Sequence, residues 1–72
     1  MFQYIPIEEE LHTSDLGTYR SFGICVKDER KYTLMILSDI STDKEFVVDL
    51  AIRCTDGGLA PDHLIDVVLN SI

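Results

Sequence analysis

The fold of this chain depends on one ambiguous stretch, Thr42-Asp43-Lys44-Glu45-Phe46-Val47-Val48-Asp49-Leu50-Ala51-Ile52-Arg53-Cys54. Alternate residues from Phe46 to Cys54 are all apolar, which is the pattern of a strand buried on one face. Polar residues also recur at spacings of four, four and three, which places them along one face of a helix: Glu45, Asp49, Arg53 and Asp56. The choice between strand and helix must come from the ends of the stretch.

Both ends carry helix signals. Thr42 and Glu45 fit a capping box, in which each side chain accepts a hydrogen bond from the other residue's free backbone N–H. Gly57 and Gly58 supply the left-handed conformation that commonly ends a helix. The sequence therefore predicts a helix over about residues 43–56, with Thr42 as its N-cap.

A second helix is predicted over about residues 61–71. Pro61 suits its first turn, because the N–H that proline lacks would be unpaired there. Asp62, Asp66 and Asn70 recur at four-residue spacing, and the remaining positions form an apolar stripe: Leu64, Ile65, Val68, Leu69 and Ile72. Joined by a Gly-Gly-Leu-Ala connection, the two helices are expected to form a helical hairpin.

The first half of the chain has the composition of strands. Three runs rich in β-branched and aromatic residues cover about residues 2–7, 19–27 and 31–38. Pro6 restricts the first run to a sheet edge or a strand end. The charged residues 27–31 form a break of hairpin length, so the second and third strands are predicted to pair antiparallel.

These elements predict an α+β domain spanning residues 1–72, with a three-stranded antiparallel sheet followed by a C-terminal helical hairpin packed on one face. A chain of 72 residues has room for one domain. Phe22, Ile24 and Val26 alternate along the second strand and are predicted to form the face that the helices cover.

Composition argues against several functions. The chain carries 13 acidic and 6 basic residues, a net charge of −7, which disfavours binding to nucleic acid phosphates or to an anionic membrane surface. No apolar run approaches the ~20 residues of a membrane-spanning helix. The start lacks the features of a signal peptide. Cys25 and Cys54 are too few for a secreted disulfide framework. We therefore expect a cytoplasmic protein with reduced cysteines.

One candidate metal site resembles the start of a calcium loop at Asp39, Ser41 and Asp43. Lys44 stands where such a loop needs glycine, and Leu50 stands where it needs glutamate. Helix entry and capping explain these residues more simply, so no calcium site is predicted.

Other reactive residues are also explained by structure. Asp62, His63 and Asp66 lie within one helical turn and could offer metal ligands, but capping or a His63–Asp66 hydrogen bond accounts for them. A nucleophilic cysteine would need His12 or His63 as its base. Gly57-Gly58 lacks the lysine of a phosphate loop. The sequence therefore predicts no catalytic residue, no metal and no cofactor, and a protein that is not an enzyme.

Three segments resemble a family of short uncharacterised proteins from Gram-positive bacteria: Gly17–Ile24, Asp39–Glu45 and Leu59–Val68. The most specific segment is the Leu-x-Pro-x-His-Leu-x-Asp-Val-Val pattern of the last of these. The family is catalogued as a domain of unknown function. The resemblance implies a bacterial cytoplasmic protein and supplies no catalytic residues.

The expected function follows from the third strand, because neither side of this strand is polar. One alternating set is Tyr32, Leu34 and Ile36, and the other includes Met35 and Leu37. This pattern is typical of a strand that is buried on both faces, whereas two helices cover only one face of the sheet. We therefore expect a non-enzymatic interaction or regulatory module that forms a homodimer through the sheet.

Other outcomes remain open at this stage. The N-terminal residues 2–7 could fold back over the uncovered face. The chain could also be a subunit that completes a small-molecule site on oligomerisation, or it could bind an unidentified protein partner. A further alternative is an inhibitor that mimics DNA with the carboxylates of its helices: Asp43, Glu45, Asp49, Asp56, Asp62 and Asp66.

Overall fold

A computed structural model describes all 72 residues, Met1–Ile72. Its antiparallel sheet has the strand order β1-β2-β3 and consists of β1 (Gln3–Thr13), β2 (Gly17–Lys27) and β3 (Thr33–Ser41). Two helices follow, with a short 3-10 turn (Pro61–His63) between them: α1 (Lys44–Asp56) and α2 (Leu64–Ser71). The predicted α+β order of three strands and two helices is confirmed, including the antiparallel pairing of β2 with β3.

The first strand is longer than predicted. β1 continues to Thr13 instead of ending near residue 7, and the charged residues Glu8, Glu9 and Glu10 each pair with a residue of β2. β1 can extend through these charged residues because it is an edge strand, where charged side chains and a proline such as Pro6 are tolerated. The neighbouring strands shift by a few residues at their ends, to 17–27 and 33–41.

The core lies between one face of the sheet and the helices. Phe22, Ile24 and Val26 are buried, as their alternation predicts, and α1 contacts all three strands. The helical residues of the same buried cluster come from both α1 and α2: Val47, Leu50, Ala51, Cys54, Leu64 and Val68. The sheet face that carries Phe22, Ile24 and Val26 is called the helix-side face below.

The N-cap of α1 is Asp43, so the predicted capping box of Thr42 and Glu45 is wrong. Asp43 has extended backbone angles, and its Oδ1 accepts a hydrogen bond from the backbone N–H of Phe46 at 3.3 Å. The Ser41 hydroxyl in turn accepts one from the Asp43 N–H at 3.0 Å. Aspartate is at least as good an N-cap as threonine, which explains why the helix begins one residue later. At the other end Gly58, with φ +65°, supplies the predicted left-handed residue.

Replacing the two candidate caps will separate these assignments. Asp43→Ala is expected to lower the free energy of unfolding by about 1 kcal/mol, because the N–H of Phe46 loses its acceptor. Thr42→Ala, at an exposed position without a side-chain hydrogen bond, is the matched control and should change it by less than about 0.5 kcal/mol. Urea denaturation followed by circular dichroism measures both. A larger loss in Thr42→Ala would contradict the observed cap.

β3 has a bulge opposite Gly23, and the bulged residues 38–40 pass over β2. This feature is called the crossing below. Phe22 pairs with Ser41 and Ile24 pairs with Leu37, so three residues of β3 stand opposite the single residue Gly23. A Cβ atom at Gly23 would lie 2.3 Å from the backbone oxygen of Leu37, a distance that real Cβ atoms do not reach. Only glycine therefore permits this approach of the two backbones.

Gly23→Ala should destabilise the protein by about 2 kcal/mol or more, because the added methyl group overlaps a backbone carbonyl that cannot rotate away. Thr18→Ala, an exposed change on the same strand, should have an effect of less than about 0.5 kcal/mol. Both values come from urea denaturation. Equal stability of the two variants would show that β3 does not lie against Gly23.

Candidate functional site

The sheet face turned away from the helices, called the open face below, carries an apolar row across all three strands. Ile5 pairs with Cys25, and Cys25 pairs with Ile36, so the three side chains lie side by side. Ile5 is 37 % exposed and Ile36 is 57 % exposed, whereas Cys25 between them is only 7 % exposed. This apolar row is the candidate functional site.

The structure decides which side of β3 faces the core. Met35 and Leu37 are partly buried and pack against the core, whereas Tyr32, Leu34 and Ile36 are exposed. The alternative covering of the open face by the N-terminal segment is not what the structure shows, because these residues form β1, which lies beside β2 at the edge of the sheet. No other segment of the chain covers Ile36.

A group of polar side chains, called the polar ridge below, stands at one end of the open face. The Glu9 carboxylate accepts hydrogen bonds from the Ser38 hydroxyl at 2.7 Å and from the Asp39 N–H at 3.0 Å. The Asp39 carboxylate accepts from the hydroxyls of Ser21 at 2.6 Å and Tyr19 at 3.1 Å. Glu9 lies on the opposite edge strand, so these contacts require β3 to pass over β2 on the open face. Ser21 is completely buried beneath the crossing.

The role of Asp39 is one that the sequence interpretation missed. Asp39 was predicted to belong to helix entry, but its backbone is left-handed, with φ +53°, and its side chain binds Tyr19 and Ser21. Of that candidate loop only Ser41 and Asp43 serve the start of α1. A glycine inside an alternating strand, as at Gly23, is the one sequence signal that a backbone approaches closely there.

The ridge perturbs one titratable group on the open face. The hydrogen bond from Tyr19 to the Asp39 carboxylate, together with desolvation and the negative charges of Asp39 and Glu9, raises the pKa of Tyr19 above its usual value of 10.0. Because the folded pKa is raised, this contribution to stability is present below the unfolded pKa and is lost as the pH rises through the folded one.

Asp39→Asn should lower the pKa of Tyr19 towards its usual value, because the neutral amide no longer favours the protonated phenol. Asparagine also tolerates left-handed backbone angles, so the ridge should keep its shape. An NMR titration of the tyrosine ring carbons measures the pKa, and Asp43→Asn, which removes the same charge away from Tyr19, is the control. An unchanged Tyr19 titration would contradict the hydrogen bond.

The structure does not bring the other predicted candidates together. Asp62, His63 and Asp66 are exposed, and there is no hydrogen bond between His63 and Asp66. No three of the histidine, cysteine, aspartate and glutamate side chains are placed to hold a metal ion. The Cys25 sulfur makes one side-chain hydrogen bond, with Thr33 Oγ1 at 3.9 Å, and no histidine lies near it.

Cys54 is part of the buried core and has no histidine partner. Burial raises the pKa of its thiol, and this effect outweighs the opposing charge of Arg53, whose Nε lies 3.0 Å from a carboxylate oxygen of Asp49. A thiol with a raised pKa is a poor nucleophile at neutral pH. Both cysteines are free and buried.

The surface depressions of the protein do not form an enclosed cavity. The largest, about 480 Å³, is lined by residues of α1 alone: Lys44, Glu45, Val48, Asp49 and Ile52. A smaller groove of about 200 Å³ lies where residues of α1 and α2 meet, beside Cys54 and Val67. The largest depression has a volume within the ~300–1,000 Å³ of usual ligand pockets, but its lining comes from one helix and does not converge from several elements. The open face is therefore the more distinctive surface.

The fold and this surface together define a small α+β protein with an apolar sheet face that its helices leave uncovered. Residues 1–72 match the model of a family described as "Family of unknown function (DUF6514)", and the chain belongs to that family. The match covers the three segments that resemble the family and also the residues before Gly17. The chain matches no curated protein and no solved structure. Neither α1 nor α2 has the length and apolar character needed to cross a bilayer.

Proposed function

We propose that the protein is a non-enzymatic interaction module that forms a homodimer through the open face of its sheet. The observation that carries the proposal is the apolar row, in which Ile5 and Ile36 flank Cys25 and face solvent. Contiguous exposed apolar side chains are unusual in monomers and commonly mark interaction sites. A two-fold dimer is the simplest assembly that covers the same patch on both copies.

The position of α1 supports this proposal, because α1 contacts all three strands and lies on the helix-side face. Residues of α1 and α2, including Leu50 and Leu64, share one buried cluster with β2. With helical residues in this cluster, the chain has no further element to cover Ile36 on the opposite face. The two free thiols fit the reducing cytoplasm that we propose as the setting of the protein.

A second exposed apolar stripe lies along α2 and competes as a contact surface: Ile65, Leu69 and Ile72. Its acidic neighbours are Asp62 in the preceding 3-10 turn and Asp66 on α2. No lysine or arginine follows Arg53 in the chain. Two such stripes would bring like charges together, which opposes association. The open face carries charges of both signs, Lys27 as well as Glu9 and Asp39, and is therefore the better surface for a second copy.

Sedimentation equilibrium at micromolar concentration tests the proposal. The wild-type protein should show a mass above 8.2 kDa that rises with concentration. Ile36→Lys should weaken the dimer by at least about tenfold, because each interface then buries two unpaired charges. Ile52→Lys is the matched control, since Ile52 is 53 % exposed on α1 and the change is identical.

Two results would contradict the proposal. One is a wild-type monomer with no concentration dependence. The other is a dimer that survives Ile36→Lys but is lost in Ile65→Lys, which would place the contact on α2. Circular dichroism of each variant verifies that it is folded.

A further inference from the structure

The two ends of the open face have opposite charge. Lys27, the residue next but one to Cys25, lies at one end, where it pairs with Gln3 and Thr33. The carboxylates of Glu9 and Asp39 lie at the other end, within the polar ridge. The apolar row lies between the two ends and contains no charge.

The two ends also differ in shape. At the ridge, Ser38 and Asp39 pass over β2. Two observations show this: the Leu37 oxygen lies against Gly23, and Glu9 on the opposite edge strand accepts a hydrogen bond from Asp39. At the Lys27 end the sheet keeps its ordinary thickness, and no backbone crosses it. Each open face therefore has one raised acidic end and one low basic end.

Two open faces can meet around a two-fold axis in only two aligned ways. If the axis runs along the strands, the raised end of one sheet meets the raised end of the other, and carboxylates face carboxylates. If the axis runs across the strands, the strands of the two copies are antiparallel, and each ridge lies over the Lys27 end of the other copy. Charge complementarity and shape both favour the second arrangement.

We propose, on the basis of the self-association argued above, that two copies pack open face to open face with their strands antiparallel. The axis then runs along the apolar row, so Ile36 of each copy contacts Ile36 of the other, and Ile5 contacts Ile5. Facing sheets lie ~10 Å apart, which lets side chains of this size interdigitate. Lys27 of each copy lies near the Asp39 and Glu9 carboxylates of the other.

Isotope-filtered NMR on a mixture of labelled and unlabelled protein tests this arrangement without any substitution. The expected result is intermolecular contact between the Ile36 side chains of the two copies and between their Ile5 side chains. Contact between Ile5 of one copy and Ile36 of the other would indicate an axis along the strands and would overturn the inference. A dimer without intermolecular contact at Ile36 would overturn both this inference and the proposed function.

A charge reversal at the basic end gives an independent readout. Lys27→Glu should weaken the dimer about tenfold, because it places a third carboxylate beside Glu9 and Asp39 of the other copy. Lys44→Glu at the start of α1 makes the same change in net charge on the helix side and should leave the dissociation constant within about twofold.

The outcomes of the charge reversal separate the two proposals. An equal effect of both variants on a persistent dimer would overturn the antiparallel arrangement and leave self-association standing. A wild-type monomer would overturn both. If Lys27→Glu unfolds, the milder Lys27→Gln, which removes the attraction without adding repulsion, should still weaken the dimer more than Lys44→Gln does.

Discussion

The whole structure depends on one constraint: the chain builds a sheet with two apolar faces, and α1 packs against only one of them. β2 is buried from Ser21 to Val26, and its helix-side residues belong to one buried cluster with residues of α1 and α2. On the other face its neighbours Ile5 and Ile36 shield Cys25 but remain exposed themselves. A short chain buries only ~60 % of its unfolded surface, and we propose a second copy as the source of further burial.

The crossing of β3 over β2 covers the acidic end of the open face from within the chain. It needs a residue without a side chain at Gly23 and a left-handed residue at Asp39. The cost of left-handed backbone at a residue other than glycine is offset by the hydrogen bonds that Asp39 makes with Ser21 and Tyr19. The crossing also gives the open face its unequal ends, and the proposed antiparallel dimer depends on this asymmetry.

Local patterns predicted the elements that depend on local physics. The alternation of Phe22, Ile24 and Val26 correctly assigned the helix-side face, and the polar stripe and glycines correctly assigned α1 as a helix rather than a strand. The N-cap was misplaced by one residue because Thr42 and Asp43 are both good caps, and a pattern cannot rank them in context.

The polar ridge could not be predicted in the same way. Its bond from the Asp39 N–H to Glu9 joins residues thirty positions apart, and the composition of neither segment indicates the other. The sidedness of β3 was equally hidden, because both of its alternating sets are apolar. Such features follow from how the strands are stacked, which is a property of the whole sheet.

The most direct test of the account is the alkylation rate of Cys25 as a function of protein concentration, with Cys54 as an internal reference. The account predicts that Cys25 reacts more slowly as concentration rises, because the second copy covers the apolar row. Cys54, buried on the core side of α1, should react at the same slow rate throughout. A Cys25 rate that does not change with concentration would contradict the claim that the open face is the contact surface.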